Sequence, residues 1–412
     1  MLNNPFIPSE IISDPNEFFG RRDELGILER TINRYSVAIQ GAIGIGKSSL
    51  LYHIRLLMEG WHSAHNSKTI ISVGNRDVHH VDEAARLILE EFVTVDTKHN
   101  TVELTVPKVF KWNSTTISEN FKEGRHAAVL QRIICSKQLK EIEFLIIAID
   151  EADKCPVPLA RLIRSLCTYA QQEGIQNIRF LMAGVSPFFQ KMIDDDPGIS
   201  RFFKPLTVKP FLEDVACQLL EAKFKQLIKD AKSKGLNLQV DDEVVTRIYQ
   251  LSGGHPHLLQ LLGYHIVEHE DHDPDEIINL RDLMGSLRTI CYEDRAYVYG
   301  PLIHSLEVDG KLDLLKSLLS KSRGDLPTKI SKEDALTILE PDTLKWFVEN
   351  DILEPQVDHY TLIDEFLRVR ILMDEELEAA DEIERRLIES GSLSDSSEEW
   401  GESWDEYFER ET

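Results

Sequence analysis

The stretch Ser36-Val37-Ala38-Ile39-Gln40-Gly41-Ala42-Ile43-Gly44-Ile45-Gly46-Lys47-Ser48 decides the fold. Its first five residues have the short apolar signature of a buried strand, and Leu and Ile recur at helical spacing over 47–59. Between them, residues 41–48 fit GxxxxGK[ST] in full. Strand, glycine-rich turn and helix in that order make a phosphate cradle. Glycines let backbone amides turn inward, Lys47 brings a positive charge to the terminal phosphates, and the Ser48 hydroxyl is placed for Mg²⁺. The residues expected at the nucleotide are Gly41, Gly44, Ile45, Gly46, Lys47, Ser48 and Ser49. A glycine-rich surface turn is the alternative, and the flanking elements argue against it.

Phe144-Leu145-Ile146-Ile147-Ala148-Ile149-Asp150-Glu151 supplies the other half of such a site. A buried strand delivers Asp150 at its C-terminal end, where it can hold the Mg²⁺ shell, and Glu151 can orient or deprotonate an attacking water. Further strands are expected at 69–74, 179–183 and 206–208, with helices at 22–33, 81–92, 119–139 and 158–172. This alternation predicts an α/β fold, a parallel sheet sandwiched by helices. The alternating stretch TVELTVPKVFKW within 93–118 reads as an inserted hairpin.

Beyond residue 210 helices dominate. Those at 212–234 and 240–252 run into Gly253-Gly254-His255-Pro256, a stop and restart, which predicts an all-α lid over 211–300. Helices at 312–320, 331–339 and 341–350, followed by two short strands around Asp358-His359, suggest a winged helix-turn-helix within 301–373. The expected domains are therefore a core over 1–210, the lid, the winged helix and an acidic tail over 374–412.

At roughly 150 residues per domain, 412 residues suit two or three domains with a proper core. Hydrophobic residues at 42% and charged residues at 28% exclude a collagenous or wholly disordered chain. Lys and Arg number 46 against 71 Asp and Glu, and the net charge of −25 disfavours sequence-blind binding to nucleic acid or anionic membrane. More than half of that charge is terminal, since residues 374–412 hold 16 acids and 3 bases. Five scattered cysteines (Cys135, Cys155, Cys167, Cys217, Cys291) without a CxxC pair suit a reducing cytoplasm. The longest strongly apolar run, 144–149, is far too short to span a bilayer, and MLNNPFIPSE lacks the marks of a signal peptide. A cytoplasmic protein with no membrane partner is expected.

Phe18-Phe19-Gly20-Arg21-Arg22-Asp23-Glu24-Leu25, the two phosphate-site motifs and Gly254-His255-Pro256 together resemble the AAA+ and STAND superfamily of P-loop ATPases, especially its ORC-like and archaeal-type branches. The resemblance implies ATP and Mg²⁺ as cofactors, hydrolysis through Lys47, Asp150 and Glu151, and a homo-oligomer. It places Phe19, Gly20 and Arg21 over the adenine, with Asn4-Pro5-Phe6-Ile7-Pro8 lining the base pocket. Arg21 and Asp23 by themselves also suit a polar helix start. Ser186 takes the position of a sensor for the γ-phosphate. Arg201 takes that of an arginine finger projected into a neighbouring subunit, although an arginine at a helix end can also cap carbonyls. In the lid, Gly254-His255-Pro256 replaces the usual second sensor arginine. His255 and Pro256 would then face the β-phosphate side, or His255 is simply tolerated in a Gly-Pro turn.

Other features read as surface. Lys223, Lys225, Lys229, Lys232 and Lys234 form a basic run on one helix, best accounted for as a solvated face. His265, His269 and His272 match no strong metal spacing. Over 341–363 Lys345 stands alone against Asp342, Glu349, Asp351, Glu354 and Asp358, so the winged helix suits protein contact better than DNA. Trp400, Trp404, Tyr407 and Phe408 would form one aromatic stripe on an acidic helix, docking on a partner or sister subunit or packing on its own domain.

The resemblance implies an oligomeric ATPase whose nucleotide state controls assembly and engagement of a separate effector protein, in a setting such as prokaryotic antiviral defence. A STAND-type switch that holds ATP with little turnover, and an ORC- or transposition-like ATPase that grips DNA, share the same core.

Overall fold

The computed structural model describes residues 2–65, 67–73, 78–92, 94–96, 103–106, 110–112, 115–134, 144–272, 277–322, 328–350 and 352–371. The acidic tail with Trp400, Trp404, Tyr407 and Phe408 lies outside them, as do the side chains of His269 and His272. The chain divides into two compact units, Ile11–Lys209 and a second formed by Met1–Glu10 with Pro210–Thr412. Among the described residues, no helix is long and apolar enough to cross a membrane.

In the first unit, β1 (Ser36–Gly41), β2 (Ser67–Val73), β6 (Phe144–Asp150), β7 (Ile178–Val185) and β8 (Phe203–Thr207) form a parallel sheet in the order β2-β6-β7-β1-β8. The period-2 geometry of a strand sorts its side chains onto two apolar faces. Leu145, Ile147, Ile149, Phe180 and Met182 face one cluster, packed by the helices Val81–Phe92, His126–Ile134 and Pro156–Gln172. Val37, Ile39, Ile146, Ala148, Leu181 and Ala183 face the other, packed by Arg22–Ile32 and Lys47–His65. Burial on both faces explains why these strands read as continuous apolar runs. β8 is an edge strand, and tolerates Pro205 because one side of it is unpaired in the sheet.

Two local expectations change. The single helix expected at 119–139 is two, Thr115–Lys122 and His126–Ile134, with the chain turning at Gly124 in the left-handed region. In the insertion, β3 (Thr94–Asp96), β4 (Glu103–Val106) and β5 (Phe110–Trp112) make a three-stranded antiparallel sheet rather than a lone hairpin.

The second unit is mainly helical. Glu213–Ser233, Asp242–Ser252, Pro256–His272 and Leu280–Thr289 are followed by Ala296–Val308 and Leu312–Leu319. The short strands β9 (Gln239–Val240) and β10 (Ile277–Ile278) pair in parallel. Near the C-terminal end, β11 (Lys329–Ser331), the helices Lys332–Ile338 and Pro341–Glu349, β12 (Leu353–Pro355) and β13 (His359–Leu362) follow in turn. Their sheet order is β11-β13-β12.

The N-terminal arm belongs to this second unit, whereas the sequence reading grouped it with the core. The Phe6 ring meets Phe224 edge-on at 5.3 Å and lies so close to Gly263 that a Cβ there would stand 2.2 Å from it. Lys223 Nζ donates to the Pro5 carbonyl at 2.7 Å, and Ile7 N–H to Gln260 Oε1 at 3.1 Å. Lys223 is only 2% exposed, so it leaves the solvated face expected of the lysine run. Lys225, Lys229, Lys232 and Lys234 remain on that face.

Candidate nucleotide-binding site

β1 ends in the glycine-rich loop, and Gly44 and Gly46 take φ values of 77° and 92°. An L-residue with a Cβ pays for that conformation, so the glycines fix the loop's inward curl. The helix begins at Lys47, and helix geometry leaves the N–H groups of its first turn without intrahelical acceptors, facing the loop's hollow. Lys47 Nζ donates to the Gly41 and Ala42 carbonyls at 3.0 and 2.7 Å. Its ammonium is thereby held at the loop mouth.

Arg21 holds this loop from behind. Its guanidinium donates to the Ile45 carbonyl at 3.0 Å, to the Lys209 carbonyl at 2.7 Å and to Glu24 at 2.9 Å. Arg21 is 3% exposed, and burial lowers its pKa against the raising effect of Glu24. The residue expected over the adenine therefore bonds to the protein's own carbonyls. Ile45 is buried in the core, so the residue anchors the loop and only its backbone can face a phosphate.

The segment before Arg21 lies against the helix Lys47–His65. Ile12 N–H donates to Ser49 Oγ at 3.1 Å, and the Ile12 carbonyl meets His53 Nε2 at 2.8 Å, which requires a proton on that nitrogen. Phe18 stacks on the His53 ring at 3.8 Å. Burial holds the His53 pKa below the usual histidine value. The Ser49 hydroxyl, expected at the nucleotide, thus accepts from the chain segment before Arg21. Phe19 is half-buried next to Phe18, and Gly20 turns the chain into the helix at φ 65°.

The register places the other expected residues at the same edge of the sheet. β7 lies between β1 and β6, with Gly41 opposite Val185 and Ile149 opposite Met182. The loop, Asp150 and Ser186 therefore follow three adjacent strand ends. Asp150 Oδ1 accepts the Glu151 N–H at 2.9 Å. Its other oxygen and the Ser48 hydroxyl are hard-oxygen donors, the kind that suits Mg²⁺. Glu151 has φ 49° and ψ 38°, the single non-glycine residue with positive φ among the described residues. This left-handed conformation costs an L-residue about 1–2 kcal/mol and persists only where surrounding structure over-determines it. Sequence reasoning passed over one residue here, Asp153, whose Oδ1 accepts the Val185 N–H at 3.0 Å.

Arg201 sits elsewhere. It ends the turn Pro197–Arg201 ahead of β8, and Phe203 pairs with Ser36 at the N-terminal edge of the sheet. The six residues of β1, at about 3.3 Å each, put roughly 20 Å between that edge and the loop. Arg201 is exposed, and its side chain makes no hydrogen bond or ion pair among the described residues, so it caps no carbonyl there. Nearby Arg161 and Arg164 are both engaged, by Asp195 at 2.7 Å and by Asp196 at 3.8 Å.

In the second unit, Gly253 and Gly254 both have positive φ, and Pro256 opens the next helix. Gly254 accepts the Phe211 N–H at 2.8 Å. His255 is buried in the turn.

No protein-family model matches the chain, and no curated protein matches it in sequence. Solved structures do match it. The Walker-type ATPase PABY2304 of Pyrococcus abyssi superimposes with a TM-score of 0.56 at 16% identity, over 88% of this chain and 98% of that one. The ADP form of the Aeropyrum pernix ORC2 protein gives 0.52 at 13% identity, over 91% of this chain and 97% of that one. Its ADPNP-ADP complexes give 0.50 at 12% identity, over 90% and 98%. The chain shares the fold of those proteins, that of the AAA+ P-loop ATPases; its first unit carries the glycine-rich loop at the head of a parallel sheet with the acidic strand two places away, and its second unit is mainly helical.

Proposed function

We propose that the chain binds ATP with Mg²⁺ and hydrolyses it in a homo-oligomer. The observation that carries this reading is Glu151, held in a strained backbone conformation beside Asp150, on a strand end next but one to the phosphate loop. A strained acidic residue at such a place is an expense the fold bears for chemistry. On ATP binding, Lys47 exchanges its loop carbonyls for phosphate oxygens. Glu151 accepts a proton from the attacking water, and Ser186 lies at the strand end between them. Mg²⁺, held by Ser48 and Asp150, would supply charge neutralisation at the phosphates.

Arg201 is supported as a finger acting on another copy's nucleotide, since it is exposed, unpaired among the described residues and roughly 20 Å from its own loop. We read the elements over 312–362 as a winged helix that contacts a separate partner protein. Its five acids against Lys345 over 341–363 favour a basic protein surface over DNA.

The test is Mg-ATP turnover with and without Glu151→Gln. Wild type is expected to turn over, and the variant to bind ATP while losing turnover. A wild type that binds no ATP contradicts the reading. The resemblance of Gly254-His255-Pro256 to the motif that replaces a second sensor arginine, with His255 buried, favours a second reading, a switch that retains ATP. Tight ATP binding with negligible turnover identifies it.

A further inference from the structure

Asp153 joins the ends of the two strands that carry the chemistry. It lies two residues beyond Glu151, and its carboxylate accepts the N–H of Val185, the residue before Ser186, at 3.0 Å. The ladder between β6 and β7 ends with Ile149 opposite Met182. The Asp153 bond carries the pairing past that level, where backbone pairing has stopped.

Gly184 forms the socket for this bond. A Cβ there would stand 2.9 Å from Asp153 N and 3.0 Å from Asp153 Oδ1, so only glycine lets the turn seat against β7. The rest of the turn is fixed from below. Ala152 and Cys155 are buried in the core, and Lys154 N–H closes back on the Glu151 carbonyl at 3.0 Å. Lys154 Nζ lies 3.6 Å from the Asp153 carboxylate and balances its charge. Glu151 keeps its left-handed backbone because both sides of it are tied in this way.

We propose that Asp153 is a positioning residue for hydrolysis: seated on Gly184 and bonded to the Val185 amide, it sets Glu151 and Ser186 relative to each other at the terminal phosphate. The inference rests on the hydrolytic reading of Glu151. Asp153 acts through the turn and touches neither water nor phosphate. What it supplies is a hydrogen-bond acceptor at one place, which an amide oxygen can also supply.

The test compares wild type, Asp153→Ala, Asp153→Asn and Gly184→Ala for kcat, KM, direct binding of a fluorescent ATP analogue and thermal midpoint. Asp153→Ala and Gly184→Ala are expected to lower kcat about 10- to 100-fold, with analogue affinity within about twofold of wild type. Asp153→Asn is expected to keep kcat within about threefold, because its oxygen accepts the same N–H. A merely structural role would lower midpoint and binding together and leave the turnover of the ATP-bound fraction unchanged, which overturns the inference. Loss of turnover in Asp153→Asn equal to that in Asp153→Ala assigns the effect to charge, and also overturns it. Wild type that binds ATP without turnover removes the hydrolytic reading and this inference with it. Normal turnover in both Asp153→Ala and Gly184→Ala removes this inference alone.

Discussion

Arg21 and Arg201 stand at opposite edges of the same sheet, in opposite surroundings. Arg21 is buried at the loop edge and donates to two backbone carbonyls and Glu24. Arg201 is exposed at the other edge, and its side chain makes no hydrogen bond or ion pair among the described residues. A buried guanidinium is retained because its partners would be left unsatisfied without it. An exposed, unpaired one contributes little to stability, and its worth lies in what approaches it. The comparison separates an arginine that shapes its own loop from one whose side chain is left open to solvent, the one proposed to act on a second subunit.

The largest effect expected from that contrast is at Arg201. Arg201→Ala should lower ATP turnover by about 10³-fold or more, while a thermal melt and ATP binding by calorimetry stay at wild-type values. A fall in the melting midpoint would place Arg201 in the fold instead. Arg21→Ala should do the reverse. It should destabilise the first unit by about 3 kcal/mol in denaturant titration, since the Ile45 and Lys209 carbonyls lose their donor. Arg21→Lys should recover little of this, because one ammonium cannot span the three acceptors.

A buried carboxyl in the second unit sharpens the same point. Glu365 is 2% exposed and accepts both the Thr328 N–H and its hydroxyl. Burial pushes its pKa up to about 7, against Thr328 and Arg368, which favour the ionised form. The native state then holds this proton more tightly than the unfolded chain, whose carboxyl titrates near 4.5. Its contribution to stability is full below that value and is lost as pH rises to about 7. Glu365→Gln should flatten the stability profile over that window, and an unchanged slope would contradict the assignment. The smallest effect belongs to Ser49. Removing its hydroxyl with Ser49→Ala should cost about 1 kcal/mol, by leaving the Ile12 N–H without its acceptor.

Much of the core was legible because its signals are local. The apolar strands, the GxxxxGK[ST] turn and the acidic strand end each lie within a few residues, and the fold follows from their order. The roles of Arg21 and Lys223 were not legible, because each depends on a carbonyl distant in sequence: Ile45 and Lys209 for one, Pro5 for the other. Lys223 looks like any lysine of a solvated run until the arm lies over it. Two glycines did carry usable signals. Gly263 inside a helix and Gly184 inside a strand are unfavourable by propensity. Both mark close approaches, of Phe6 in one case and Asp153 in the other.

If Arg201 serves another subunit's nucleotide, as proposed, while Arg21 holds its own loop, mixing inactive subunits separates the two roles. Arg201→Ala protein retains its own Glu151, and Glu151→Gln protein retains Arg201 to donate. Mixed together, the two should recover ATP turnover that neither shows alone, whereas Arg201→Ala mixed with a Glu151→Gln, Arg201→Ala double variant, which has no Arg201 to donate, should recover none. A mixture of the first pair that stays inactive, although the subunits co-assemble on a sizing column, would contradict action between subunits.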